Sequence, residues 1–217
     1  MSSAANTLQR QFKDLIRSPV PGFVVDLKDE NIFEWSVAII GLPKTIYEGG
    51  YFMATMTFPS DYPFHPPTFR FDREFYHPNV YDDGRLCISI LHPPGDDPVS
   101  GEKAEERWNP TQSVESVLMS IVSLLADPNC SSPANVDAGV AFRKDRELYD
   151  GIVKQQVELS KQDIPPGFKM PTSEKDFMIA APVEIEEDDN FWYESCDESD
   201  LDAGDDDDFE EDDEEDD

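Results

Sequence analysis

Cys87 lies in the run Tyr76-His77-Pro78-Asn79-Val80-Tyr81-Asp82-Asp83-Gly84-Arg85-Leu86-Cys87-Ile88-Ser89-Ile90-Leu91, eight residues after Asn79. A thiol there can act as a nucleophile and carry an acyl group as a thioester, while a carboxamide can donate to the oxyanion that acyl transfer creates. A free thiol has a pKa of about 8.5, so only a few per cent is thiolate near neutrality. Arg85 is the near basic residue, which implies no strong activation. On spacing alone, a cysteine inside Leu-Cys-Ile-Ser-Ile-Leu is more often a small buried hydrophobe than a nucleophile. His77 and Asn79, on the same ground, more often satisfy loop backbone groups than do chemistry. The sequence shows no Ser/His/Asp arrangement, no paired cysteines, no Cys/His zinc spacing and no phosphate loop.

The elements that must position this run are legible around it. Leu8, Phe12, Leu15 and Ile16 recur at helical spacing within residues 3–17, with Arg10, Lys13 and Arg17 on the other side and Pro19 and Pro21 as the stop. Four strand-like segments follow at Gly22–Leu27, Ile32–Ile40, Tyr51–Phe58 and Thr68–Phe71. Their short connections predict an antiparallel meander with one side packed on helices. Residues 72–112 carry no strand signal. An irregular stretch of this length inside a compact domain is usually functional. Helices are predicted from about Ser113 to Ala126 and from roughly Val136 to Lys161. The fold class is therefore α+β.

The chain has 217 residues and a net charge of −31. Between Glu184 and Asp217 there are 22 Asp or Glu residues and no Lys or Arg, which leaves −9 on residues 1–183. The expected organisation is a catalytic body over 1–165, a linker over 166–183 and a disordered acidic tail over 184–217. Phe191, Trp192, Tyr193 and Phe209 interrupt that tail, and aromatic residues there point to a partner. No nucleic-acid partner is expected. No run reaches the roughly 18 apolar residues of a membrane span, and the N-terminus lacks a secretory pattern. Three widely spaced cysteines suit a reducing compartment, and a cytoplasmic and nuclear location is expected.

His77-Pro78-Asn79 before Cys87, the loop Tyr62-Pro63-Phe64-His65-Pro66-Pro67 upstream and Trp108-Asn109-Pro110 downstream together resemble the ubiquitin-conjugating enzymes. The resemblance spans about residues 6–160. It implies the ubiquitin-conjugating fold: N-terminal helix, four-stranded antiparallel meander, long active-site loop and C-terminal helices. The segment His92–Arg107 is longer than in the simplest members. With the acidic tail it resembles the cell-division-cycle type that works with cullin–RING ligases, which implies chain assembly, proteasomal degradation and cell-cycle control.

The resemblance implies two acyl transfers, from an activating enzyme to Cys87 and then to a lysine of a substrate or growing ubiquitin chain. No cofactor or metal is implied, because ATP is used by the activating enzyme. Asn79 is implied as oxyanion donor, with a loop tie-down as the alternative, and His77 as a supporting residue. The incoming lysine has a free pKa of about 10.4 and must arrive neutral. Many members carry an acid on the loop after the first long helix, and Ser132 occupies that position here. Asp96, Asp97, Glu105 or Glu106 of the acidic loop would then orient the lysine, unless that loop is only solvated surface. Phe64, Asn109, Pro110 and Thr111 resemble the RING-contacting loops, and the basic first helix resembles the surface that meets the activating enzyme. Two other readings stay open: a carrier for another ubiquitin-like modifier, and an inactive acidic-tailed binding module.

Overall fold

A computed structural model describes residues 3–95, 102–171, 176 and 177. Helix α1 (Ser3–Arg17) buries Ala4, Ala5, Leu8 and Leu15 and leaves Arg10, Lys13 and Arg17 exposed. Strands β1 (Phe23–Lys28), β2 (Asn31–Ile40), β3 (Tyr51–Thr57) and β4 (Thr68–Phe71) pair in that order, all antiparallel. Asp29 and Glu30, both at positive φ, make the two-residue turn between β1 and β2, whose twist matches that of the strands. Side chains alternate across the sheet. Phe23, Trp35, Val37, Ile39, Phe52, Ala54, Met56, Phe69 and Phe71 face the main core.

Helix α2 (Val114–Ala126) closes that core with Val114, Val117, Leu118 and Ile121, all fully buried. Its start is held by a reciprocal pair: Ser113 Oγ accepts from Ser116 N–H, and Ser116 Oγ accepts from Ser113 N–H. Gln11 Oε1 accepts from Tyr62 Oη and from Val114 N–H, which joins α1, the proline-rich loop and α2 at one atom.

Two expectations need correction. The helix expected over Val136–Lys161 is two helices, α3 (Val136–Lys144) and α4 (Arg146–Ser160). Asp145 breaks it: its backbone ends α3 on Ala141 O, and its carboxylate accepts from Leu148 N–H to start α4. The expected linker is also partly packed. Ile164, Phe168, Met170 and Phe177 meet Ala38, Ile40, Tyr51 and Met53 on the outer face of the sheet, because that face has an apolar half to cover. The acidic tail lies outside the described residues.

Candidate active site

The backbone around Cys87 is held from two sides. Leu86 N–H donates to Phe69 O of β4 (3.0 Å), and Cys87 N–H donates to Asn79 O (2.9 Å). A tight turn from Tyr81 to Arg85 makes this possible, and Gly84 is the residue it depends on. Its φ is +84°, and a Cβ there would meet Phe71 O at 2.6 Å. Cys87 is left half-buried as a free thiol.

Three side chains define its surroundings. Tyr81 Oη donates to Cys87 Sγ at 3.6 Å. That bond, and the charge a thiolate would carry, raise the Tyr81 phenol above its ordinary value of 10.0. His92 Nε2 lies 3.8 Å from Sγ on the other side. The turn Ser89–Leu91 reverses the chain and brings that ring back over the thiol. His92 Nδ1 is 2.8 Å from Glu102 Oε2, and Ser89 Oγ donates to Glu102 Oε1 at 2.9 Å. Arg107 Nε stands 3.8 Å from the same carboxylate. In the neutral form of the ring, a proton on the nitrogen facing the carboxylate leaves the Nε2 lone pair turned to Sγ. The arrangement can take a proton from the thiol or from a nucleophile arriving beside it.

Asn79 is buried, and its carboxamide exchanges two hydrogen bonds with the loop Asp127–Pro133. Its Nδ2 donates to Asn129 O (2.9 Å), and its Oδ1 accepts from Asn129 N–H (2.8 Å). His77 is buried beneath it, and its Nδ1 accepts from Asn79 N–H at 3.0 Å. Burial pushes the imidazole down to about 4, against the opposing pull of the Leu124 carbonyl. A ring held neutral this way orders the loop. It is not the proton acceptor at the thiol.

Residues 7–157 match the family model described as ubiquitin-conjugating enzyme. The chain belongs to the ubiquitin-conjugating enzyme family. It is 52% identical over 203 residues to the ubiquitin-conjugating enzyme E2-34 kDa of Saccharomyces cerevisiae, covering 89% of this chain and 68% of that protein. It is 56% identical over 162 residues to the ubiquitin-conjugating enzyme E2 7 of Arabidopsis thaliana, covering 74% of this chain and 98% of that relative. With the human ubiquitin-conjugating enzyme E2 G2 it shares 50% identity over 159 residues, 73% of this chain and 96% of the relative. The fold is the family's, and so is the enzyme class, an acyltransferase that draws on no cofactor of its own.

Within that family frame, the structure gathers some of the expected residues and separates others. Cys87, Asn79 and His77 form one unit. Ser132 is exposed on the loop that Asn79 holds. Asp96 and Asp97 lie outside the described residues. Glu105 and Glu106 are exposed and turned toward Lys103: Glu105 Oε1 is 3.7 Å from Lys103 Nζ, and Glu106 Oε2 accepts from Lys103 N–H at 3.3 Å. Among the described residues of this loop, the acid that reaches the thiol's surroundings is Glu102, acting through His92. Sequence reasoning missed both, and missed Tyr81. The available signal was a histidine five residues beyond the thiol with an acid at the far end of the same loop. Arg85, the basic residue expected nearby, is drawn to Asp83 at 2.7 Å.

The ligase-facing candidates also come together. Trp108 is fully buried, and its Nε1–H donates to Pro63 O at 2.7 Å, joining the two loops. Phe64 stands 65% exposed on one loop. On the other, Asn109 Oδ1 accepts from Thr111 N–H and its hydroxyl, with Pro110 exposed between them. Among the described residues no group of His, Cys, Asp and Glu could hold a metal ion, and no helix is long and apolar enough to cross a membrane.

Proposed function

We propose that Cys87 accepts ubiquitin as a thioester and passes it to lysine, in partnership with a cullin–RING ligase, marking proteins for proteasomal degradation in cell-cycle control in the cytoplasm and nucleus. The observation that carries the chemistry is the file Cys87–His92–Glu102, with the His92 lone pair at 3.8 Å from the thiol.

In loading, the Cys87 proton passes to His92 Nε2, and the thiolate attacks the thioester carbon on the activating enzyme, whose own thiolate leaves. The two thiolates are comparable leaving groups, so strong activation of Cys87 is unnecessary. In discharge, a lysine amine attacks the Cys87 thioester carbon. A C–N bond forms, the C–S bond breaks, and the amine proton goes to His92. Glu102 keeps the ring oriented and stabilises its charged form. This gives the acidic loop its part in handling lysine through Glu102. Asn79 holds the neighbouring loop, and the second N–H of its carboxamide is the donor for the oxyanion.

Phe64 and Asn109–Thr111 offer the RING domain an exposed aromatic ring beside a hydrogen-bonded turn. The tail, with 22 acids in 34 residues, suits a basic partner surface such as one on a cullin, where charge speeds encounter. To test the assignment, the chain is incubated with activating enzyme, ATP and, separately, ubiquitin and other ubiquitin-like modifiers. A reductant-sensitive adduct with ubiquitin is expected. An adduct confined to another modifier would reassign the carrier, and no adduct would leave a binding module.

A further inference from the structure

A cavity of about 260 Å³ opens between the loop that joins β2 to β3 and the C-terminal end of α2. The loop makes one wall. Gly41 N–H donates to Gly50 O (3.0 Å) and Gly50 N–H to Tyr47 O (2.9 Å), which doubles the chain back tightly. A Cβ at Gly41 would fall 1.6 Å from Tyr47 O, so only glycine permits that approach. Thr45 closes the turn, its N–H and its hydroxyl both donating to Leu42 O. Val122 and Leu125 of α2 with Phe142 of α3 make the opposite wall, over a floor of Ile39, Tyr47 and Phe52, all buried.

The lining asks for an apolar occupant. Its charged residues are the exposed Lys44 and Arg146, and no acid lines it. Arg146 is engaged on its own helix: its guanidinium lies 4.3 Å from the Phe142 ring centroid, and its Nε pairs with Asp150 at 2.8 Å. An apolar cavity of about 150 Å³ holds a benzene ring, so this one has room for a pair of aliphatic side chains.

One stretch of this chain has the chemistry and the starting point to enter it. Phe177 packs in one cluster with Ile40 and Leu42, which also line the cavity. A Cβ at Gly22, a third lining residue, would stand 3.9 Å from the Phe177 ring. Beyond Phe177 the sequence reads Met178-Ile179-Ala180-Ala181-Pro182-Val183, six uncharged residues before the acidic run starts at Glu184. Six residues reach at most about 20 Å, so a segment that starts at Phe177 spans the cavity. Tethering at Phe177 makes entry an intramolecular event at high effective concentration, and each aliphatic group that enters leaves water.

We propose that Met178–Val183 docks in this cavity, with Ile179 seated against Val122 and Leu125 of α2. The folded body of the enzyme then extends to Val183, well past the end of α4.

The test uses the full chain with labelled isoleucine, leucine and valine methyl groups, read by nuclear Overhauser effects. The parent should show contacts from the Ile179 methyl to the methyls of Val122 and Leu125. Ala126 lines the cavity and is exposed, so Ala126→Phe fills the space and should abolish those contacts. Ile179→Ser should speed amide exchange in residues 44–50 and 122–126 at least tenfold, whereas Ile185→Ser, beyond the segment, should leave it unchanged. Ubiquitin loading reports that each variant is folded, and the two serine variants carry the test if Ala126→Phe fails to load. An Ile179 methyl without contact to α2 in the parent, contacts that survive Ala126→Phe, or equal exchange in the two serine variants would overturn the proposal. Contacts seen only between differently labelled chains would give the cavity to a second copy and contradict docking in cis.

Discussion

His92 Nε2 faces Cys87 Sγ at 3.8 Å while His92 Nδ1 rests on Glu102 at 2.8 Å, so the acidic loop reaches the thiol through an imidazole. If that ring takes the lysine proton, His92→Gln slows discharge of preformed thioester to free lysine by about 10²-fold. Glu102→Gln removes a charge-assisted hydrogen bond worth about 1.5–3 kcal/mol, and so slows discharge about tenfold or more. Glu105→Gln and Glu106→Gln leave the rate near that of the parent. Single-turnover discharge across pH separates these cases, and equal effects of all four substitutions would favour a general charge effect of the loop.

Asn79 exchanges two hydrogen bonds with the backbone of Asn129. Asn79→Ala leaves the part-buried backbone N–H and C=O of Asn129 without their partner, which costs less than the roughly 1–3 kcal/mol of a fully buried group. We expect lower stability in urea, faster amide exchange in residues 127–133 and slower lysine discharge, with loading of Cys87 kept. Slow discharge with unchanged stability and exchange would assign Asn79 to the oxyanion alone.

His77 makes folding sensitive to acid. Its folded value is about 4 against an ordinary 6.5, because burial disfavours the charged ring. Between those values the unfolded chain binds a proton that the folded chain does not. Stability is therefore full above pH 6.5 and falls as pH drops toward 4, by about 3 kcal/mol across the window. His77→Gln keeps a side-chain acceptor and removes the titration. Urea unfolding at pH 7 and 4.5 should show a smaller pH loss for the variant than for the parent, and parallel losses would refute the assignment.

Truncation before Glu184 removes 22 acidic residues and no basic ones. Ligase-dependent chain assembly should weaken and lose much of its salt sensitivity, while ligase-free loading of Cys87 persists. Rate measurements at two ionic strengths check this; an unchanged salt dependence contradicts a steering role for the tail.

The elements were legible where one local pattern carried the signal. β-rich segments bounded by turn residues located all four strands to within a residue or so, and Ser113 marked the start of α2. The break at Asp145 was hidden because apolar residues continue on both sides of it, and only the carboxylate's bond to Leu148 N–H reveals the stop. Cys87 and Asn79 were legible by type, but not the partner of Asn79, which lies 50 residues away on another loop. His92 was missed because a short turn, invisible to periodicity, folds its ring back over the thiol. The packing of Ile164, Phe168 and Met170 on the sheet escaped notice because proline and glycine around Phe168 read as linker, while the face they cover is assembled only in the sheet.

The central claim is that Cys87 carries ubiquitin, and a serine exchange tests it most directly. Loading with activating enzyme, ATP and ubiquitin should give the parent one reductant-sensitive adduct, which Cys130→Ser retains. Cys87→Ser should give instead a single adduct that resists reductant, an oxygen ester on residue 87. A reductant-sensitive adduct that survives Cys87→Ser, or one that vanishes with Cys130→Ser, would contradict it.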